Sequence, residues 1–341
     1  MCLALVLSTG ALAQNSTPPV VVPQNMDTSE GSGSTNIPFG RAVPVRFQAA
    51  YDASLFSGPL SISILSFRHD QDFAGSGKRV SLEIHAGTLP SMASLQATFA
   101  ANRGVDFTRV FAQKWVDLPD SLPTSGIGDF AVRIPLDTPL FYDPADGALL
   151  LEFVVHEQPR GGYNLDSTYT CASPLQYYGP PGCEPGLEVV SMTEQIVWGN
   201  SVVLRVRGAK PAARTLLLFG RQSTGIWDGL NLPFDARPLG APGCFLATSV
   251  EAAQMRIANS LGVADFGFNI PWDVALGSFE VNLQVLSSDY TANALGQVTS
   301  QAARVRICGF EAVGRVFANG LQTLVGYREL GVAPVLGIDT N

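Results

Sequence analysis

Leu60-Ser61-Ile62-Ser63-Ile64 alternates apolar and polar residues at every step, the repeat of a strand that buries one face and wets the other. The same period returns downstream. Leu82, Ile84 and Ala86 alternate with Glu83 and His85, and Phe130, Val132 and Ile134 with Ala131 and Arg133. Leu149, Leu151, Phe153 and Val155 share a face opposed by Glu152 and His156, just after the turn Asp143-Pro144-Ala145-Asp146-Gly147, a strong strand-entry signal. A second block repeats the pattern: Val202, Leu204 and Val206 against Arg205 and Arg207, and Val281, Leu283 and Val285 against Asn282 and Gln284. Ala303, Val305 and Ile307 continue it, opposed by Arg304 and Arg306, while the apolar run Thr215 to Phe219 has the character of a central strand. With 34 glycines and 23 prolines in 341 residues, the chain suits short strands joined by tight turns better than long helices. The expected fold is all-β: two consecutive antiparallel β-sandwiches, jelly-roll or immunoglobulin-like, at residues 37–167 and 168–309, with few short helices.

Between the blocks the segment 169–186 (YTCASPLQYYGPPGCEPG) breaks regular structure with Pro and Gly. Two stretches carry weak helical spacing, Ser91 to Ala101 and Val250 to Leu261. Residues 14–36, rich in Ser, Thr, Pro and Gly, are expected to be a flexible spacer. The tail 310–341 places Phe310, Val313, Val316, Phe317 and Leu321 near helical spacing and has no evident role.

Hydrophobic residues make up 46% and charged residues 15% of the chain, which excludes global disorder because ample apolar surface exists to bury. Twenty-one basic against 29 acidic residues give net charge -8, and the absence of a Lys/Arg cluster argues against nucleic acid or anionic lipid as partner. Residues 1–13 form an apolar run closing on Ala11-Leu12-Ala13, the pattern of a cleaved export leader. Cys2 would leave with it. No stretch is apolar over the ~18 residues that a transmembrane helix needs. Cys171, Cys183, Cys244 and Cys308 then remain, an even set that pairs in an oxidising compartment. Without C-x-x-C spacing or nearby histidines, cross-links are favoured over metal, and spacing leaves all three connectivities open.

Several segments carry a resemblance. Residues 51–56 (YDASLF), the Leu60-to-His69 strand, 99–106 (FAANRGVD), 138–144 (TPLFYDP) and 147–152 (GALLLE) resemble a recurrent N-terminal β-sandwich of exported bacterial proteins, some bearing PEP-CTERM-type sorting signals. Residues 178–183 (YGPPGC), 232–235 (LPFD), 239–244 (LGAPGC), Ile270-Pro271 and Ala294-Leu295-Gly296 are similar to a C-terminal domain of secreted proteins of planctomycete-type bacteria. The resemblance covers most of 45–308 and implies a fold and export, with no chemistry to carry over. It also implies a Cys183–Cys244 bridge, since those relatives hold the two matching cysteines alone, and so pairs Cys171 with Cys308.

Catalytic motifs are scarce. His85 and His156 alternate with core positions and are expected on a solvated face; His69, Asp70 and Asp72 form a short polar cluster without a completed calcium-loop pattern. Gly75-Ser76-Gly77-Lys78 lacks the first glycine and the Ser/Thr of a phosphate loop. There is no nucleophile elbow, zinc-protease motif or dinucleotide fingerprint. Paired carboxylates leave no linear signature, so the alternative is a carbohydrate-binding protein or a weak glycoside-active enzyme. Trp227-Asp228, in a turn-like segment, is the candidate ligand site, because sugar C–H groups stack on aromatic faces while hydroxyls seek acceptors. Trp115, Trp198 and Trp272 are expected in the core or at strand edges, and Tyr177-Tyr178 beside a disulfide. The expected function is non-catalytic extracellular interaction, adhesion or matrix structure, with a glycan or protein partner and no cofactor or metal.

Overall fold

The computed structural model describes residues 19–340 except Ala74, Thr124, Ala172, Glu194, Trp272, Ser278 and Phe310, and of Val274 the backbone alone. The leader at 1–13, with Cys2, and Trp272 therefore lie outside the described residues. The fold is all-β. Its strands, in chain order, begin with β1 (Val20–Val22), β2 (Gly33–Thr35), β3 (Val45–Tyr51), β4 (Leu60–Phe67), β5 (Lys78–Leu89) and β6 (Thr108–Leu118). They continue with β7 (Val132–Tyr142), β8 (Ala148–Glu157), β9 (Leu165–Tyr169), β10 (Gln176–Tyr178), β11 (Glu188–Ser191), β12 (Ser201–Arg207) and β13 (Arg214–Gly220). Next come β14 (Gly225–Trp227), β15 (Leu230–Leu232), β16 (Phe234–Asp235), β17 (Phe245–Leu246), β18 (Ala252–Ile257) and β19 (Ala264–Asn269). Last are β20 (Glu280–Ser288), β21 (Gln297–Thr299), β22 (Ala302–Arg306), β23 (Val313–Asn319), β24 (Tyr327–Leu330), β25 (Val332–Pro334) and β26 (Leu336–Thr340). Among the described residues the helical segments are 3-10 turns of three or four residues.

The strands pair antiparallel in two groups that share none. The first holds the orders β24-β23-β3-β8-β5-β6, β1-β26-β4-β7 and β2-β9-β25; the second holds β10-β22-β20-β13-β18, β11-β12-β19 and two small hairpins. The second group is thus inserted between β9 and β23, rather than following a completed first one. The tail without a role supplies the centre of the first group: β23 lies between β24 and β3, and β26 between β1 and β4. The spacer is likewise structural where described, since Val20–Val22 pairs with Leu336–Ile338 and Gly33–Thr35 with Leu165–Ser167. Chain ends brought together in sheets bury apolar residues that neither end could bury alone.

One apolar cluster fills the first group, with Phe47, Leu65, Phe67, Ile84, Ile134, Phe153 and Ile338 drawn from both larger sheets. Val22, Phe47, Leu65, Phe153 and Ile338 are fully buried. The periodicity of Leu60–Ile64 marks an inner face as far as Ile62; a register shift between Ile62 and Ile64 then hands that face to Leu65 and Phe67 and leaves Ile64 partly exposed. On the far side of the six-stranded sheet, the 3-10 turns Met92–Ser94 and Phe99–Asn102 lie over Ala50 and Leu150, which explains the unbroken run Leu149-Leu150-Leu151. Strands covered on both faces lose their alternation. The other cluster runs from Met92, Leu95 and Phe99 through Cys171 and Trp198 to Val202, Leu217, Val285 and Val305, so it joins the two groups.

Two expected helices are different elements. Val250 to Leu261 contains β18, recruited by β13 with Arg214 opposite Ile257 and Phe219 opposite Ala252; ladder pairing overrides the weak helical preference of an Ala/Gln/Met segment. Thr215 to Phe219 is central as expected, between β20 and β18. Ser91 to Ala101 keeps only its two 3-10 turns.

Candidate functional site

Where the two groups meet, the chain leaves a polar cleft of about 680 Å³. One wall comes from β2, β9, β23 and β24 with Arg41 and Asn164, the other from Met192, Thr193 and Ser201 of the second group. Its floor is a buried ion pair: Arg315 Nε donates to Glu329 Oε2 at 2.5 Å, and Arg315 Nη1 donates to Thr35 Oγ1 at 2.6 Å. Both partners are about 5% exposed. Such a pair holds its strands in place because removing either member strands a charge.

Three rings edge this floor. Phe317 and Tyr327 sit edge to face with centroids 5.6 Å apart, and the Arg315 guanidinium lies 5.3 Å from the Phe317 centroid and 5.9 Å from that of Tyr169. Tyr169 and Tyr327 are exposed, at 37% and 45%. The Tyr169 hydroxyl donates to the Ser34 carbonyl at 3.2 Å, and a Cβ at Gly33 would come within 2.7 Å of its ring, so glycine makes room for that side chain. Arg41 packs 6.0 Å from the Phe317 centroid, and its Nε is shielded from water without a hydrogen-bond acceptor. The cleft therefore offers aromatic faces, amide and hydroxyl groups, and one guanidinium beyond the Arg315–Glu329 pair.

Trp227 and Asp228 fall elsewhere. They cap the hairpin of β14 and β15, where Asp228 and Gly229 have φ of 45° and 80°, the two left-handed residues that a type I′ turn requires. Asp228 thus has a backbone reason to be there. Trp227 is half-buried and its neighbour Ile226 is exposed; none of the lining residues of the clefts described here comes from this hairpin. The cysteines form two bridges, Cys171–Cys308 and Cys183–Cys244, the pairing that the resemblance implies. Trp198 is core, 1% exposed, and Trp115 lies on the edge strand β6 at 47% exposure.

The histidines and acids divide clearly. His85 and His156 are half-exposed as expected and both contact Glu83, at 2.8 and 3.2 Å. Burial works to raise the Glu83 pKa, yet the bonds from the two imidazoles outweigh it and hold it below the usual carboxylate range. Glu152, expected on the wet face beside His156, is fully buried: Arg46, Gln48 and Arg103 all donate to it, because the 3-10 turn carrying Asn102 closes over this face. His69 and Asp70 are buried as well, not a solvated hairpin turn. Burial lowers the pKa of His69, whose ring lies toward the carbonyls of Asn164 and Pro119.

Carboxylate oxygens of Glu30, Asp70 and Asp166 come within 4.8 Å of one another. Burial raises the pKa of all three, aided at Glu30 by the charge of Asp166. The cation there is Arg68, whose Nε donates to Asp166 Oδ2 at 2.7 Å while its Nη atoms donate to the Met26 and Ser29 carbonyls. Two more cavities lie elsewhere. Asp52 and Glu311 line one of about 300 Å³, but Asp52 Oδ1 caps a turn through Ser54 and Glu311 accepts from Thr170, so each carboxylate serves its own loop. An apolar slot of about 430 Å³ opens between β18 and β19, walled by Phe219, Phe268, Leu283 and Ile307.

No protein-family model and no curated protein matches this chain. No helix of the described residues is long and apolar enough to cross a membrane.

Proposed function

We propose that this is an exported, non-catalytic protein of extracellular interaction, adhesion or matrix structure, and that it acts by holding a saccharide in the cleft between its two strand groups. The observation that carries the reading is the cleft itself: Tyr169, Phe317 and Tyr327 beside Asn36, Asn164, Ser201 and Thr193. Aromatic rings next to amides and hydroxyls match the two halves of a sugar, its C–H faces and its hydroxyls. Two disulfides fit an oxidising compartment, and the resemblance to exported bacterial β-domains points the same way. Trp227 has Asp228 beside it but lines none of the clefts described above, and ranks second.

A glycan array on the purified chain, followed by titration calorimetry of the best glycan, tests the proposal. Tyr327→Ala is expected to weaken binding tenfold or more, whereas Trp227→Ala leaves it within twofold. The reverse order would move the site to the hairpin. No glycan bound by the folded wild type would end the saccharide reading, and release of reducing ends from a bound glycan would replace it with the glycoside-active alternative.

A further inference from the structure

We infer that the saccharide is acidic and that Arg41 reads its carboxylate; this rests on the cleft being a saccharide site. Three charged side chains line the cleft, Arg41, Arg315 and Glu329. Arg315 and Glu329 neutralise each other and are further tied down through Thr35. Arg41 has no carboxylate within ion-pair distance among the described residues; its guanidinium lies 6.0 Å from the Phe317 ring centroid, and its Nε is both dehydrated and without an acceptor. A guanidinium donor withdrawn from water is costly until an acceptor arrives. A planar carboxylate suits it best, because the guanidinium fork can give two parallel bonds to one carboxylate. The single uncompensated charge calls for a singly charged sugar unit, that is a uronic acid. A densely sulfated polymer would instead meet the repulsion of a chain whose net charge is -8.

The experiment is calorimetry at low salt with three probes: a uronic-acid oligosaccharide, the same oligosaccharide with its carboxyl groups reduced to alcohols, and a sulfated oligosaccharide of equal length. The uronate is expected to bind about tenfold or more tightly than its reduced form, with an affinity that falls as salt is added. Arg41→Gln should erase that preference, and Arg41→Lys should restore only part of it. Arg41 is part-exposed in a loop, and an unchanged thermal melt of each variant verifies the fold. Equal binding of acidic and reduced sugars, preference for the sulfated probe, or an uronate preference that survives Arg41→Gln would each overturn the inference while leaving the saccharide reading standing. Failure of all three probes to bind the folded wild type would take down the saccharide reading together with it.

Discussion

Glu152 shows most plainly how a residue's surroundings decide its role. Its position opposite Leu151 and Phe153 marks it as water-facing, yet it is fully buried under Arg46, Gln48 and Arg103. Truncating it leaves Arg46 without its carboxylate and Gln48 with one bond fewer, so Glu152→Ala is expected to cost about 3–5 kcal/mol in urea-unfolding stability. A loss below about 1 kcal/mol would mean that the pair is solvated. Glu30 behaves in the opposite sense. Its pKa is raised, by burial first and then by Asp166, so the folded state binds a proton more readily than the unfolded chain. Such a group adds stability below its unfolded pKa and loses it as pH rises through the folded one. Glu30→Gln keeps the acceptor for the Gln71 amide and removes the charge, and is expected to raise the melting temperature at pH 7 with the gain vanishing near pH 3. Melts of both proteins across that range check it, and a gain that persists unchanged at pH 3 would rule out the electrostatic cause.

At the scale of elements, the strands legible in the sequence are those with one dry face. Val202 to Arg207 announces itself because Val202, Leu204 and Val206 face a cluster while Val203, Arg205 and Arg207 keep access to water; in Val281 to Val285, by contrast, Asn282 and Gln284, expected on a wet face, are buried and donate to the carbonyls of Gly220, Phe245 and Ser300. β26 and β18 were not legible. β26 is buried through Leu336, Gly337 and Ile338 between two neighbours, so no wet positions are interleaved among these apolar ones. β18 is the reverse, an exposed edge with Met255 and Ile257 at 53% and 66% exposure. The two elements therefore differ in tolerance. Ile338→Asp places an unpaired charge in the core and is expected to abolish folding, whereas Met255→Asp should shift stability by no more than about 0.5 kcal/mol. Circular dichroism and chemical unfolding of the two variants separate the cases; a folded Ile338→Asp protein would show that β26 is dispensable.

For the whole molecule, the inserted second group and the returning tail tie distant parts of the chain together. Cys171–Cys308 closes 137 residues and Cys183–Cys244 closes 61, and each constrains the unfolded chain by roughly 4–5 kcal/mol in the loop-entropy model. The Cys171–Cys308 bridge spans the base of the insertion, where Gln195 also donates to the carbonyls of Cys171 and Leu330, and Arg328 packs 4.4 Å from the Trp198 ring. Reduction is therefore expected to lower the melting temperature by more than 10 °C and to loosen the junction first. Hydrogen exchange in β24 and at Trp198, measured with and without reductant, follows that order; an unchanged melt under complete reduction would refute it.

The sequence by itself determined the β class, the absence of familiar catalytic motifs and the existence of strands such as Val202 to Arg207 with one wet face, because those follow from local period and composition. Only the tertiary structure decided that the tail completes the first group, that Glu152 is buried, and that Arg41, Tyr169, Arg315, Tyr327 and Glu329 line one cleft. The physical reason is distance along the chain: those five residues span 41 to 329 and share no spacing, and antiparallel pairing of β2, β9, β23 and β24 with their neighbours is what carries them to the same place.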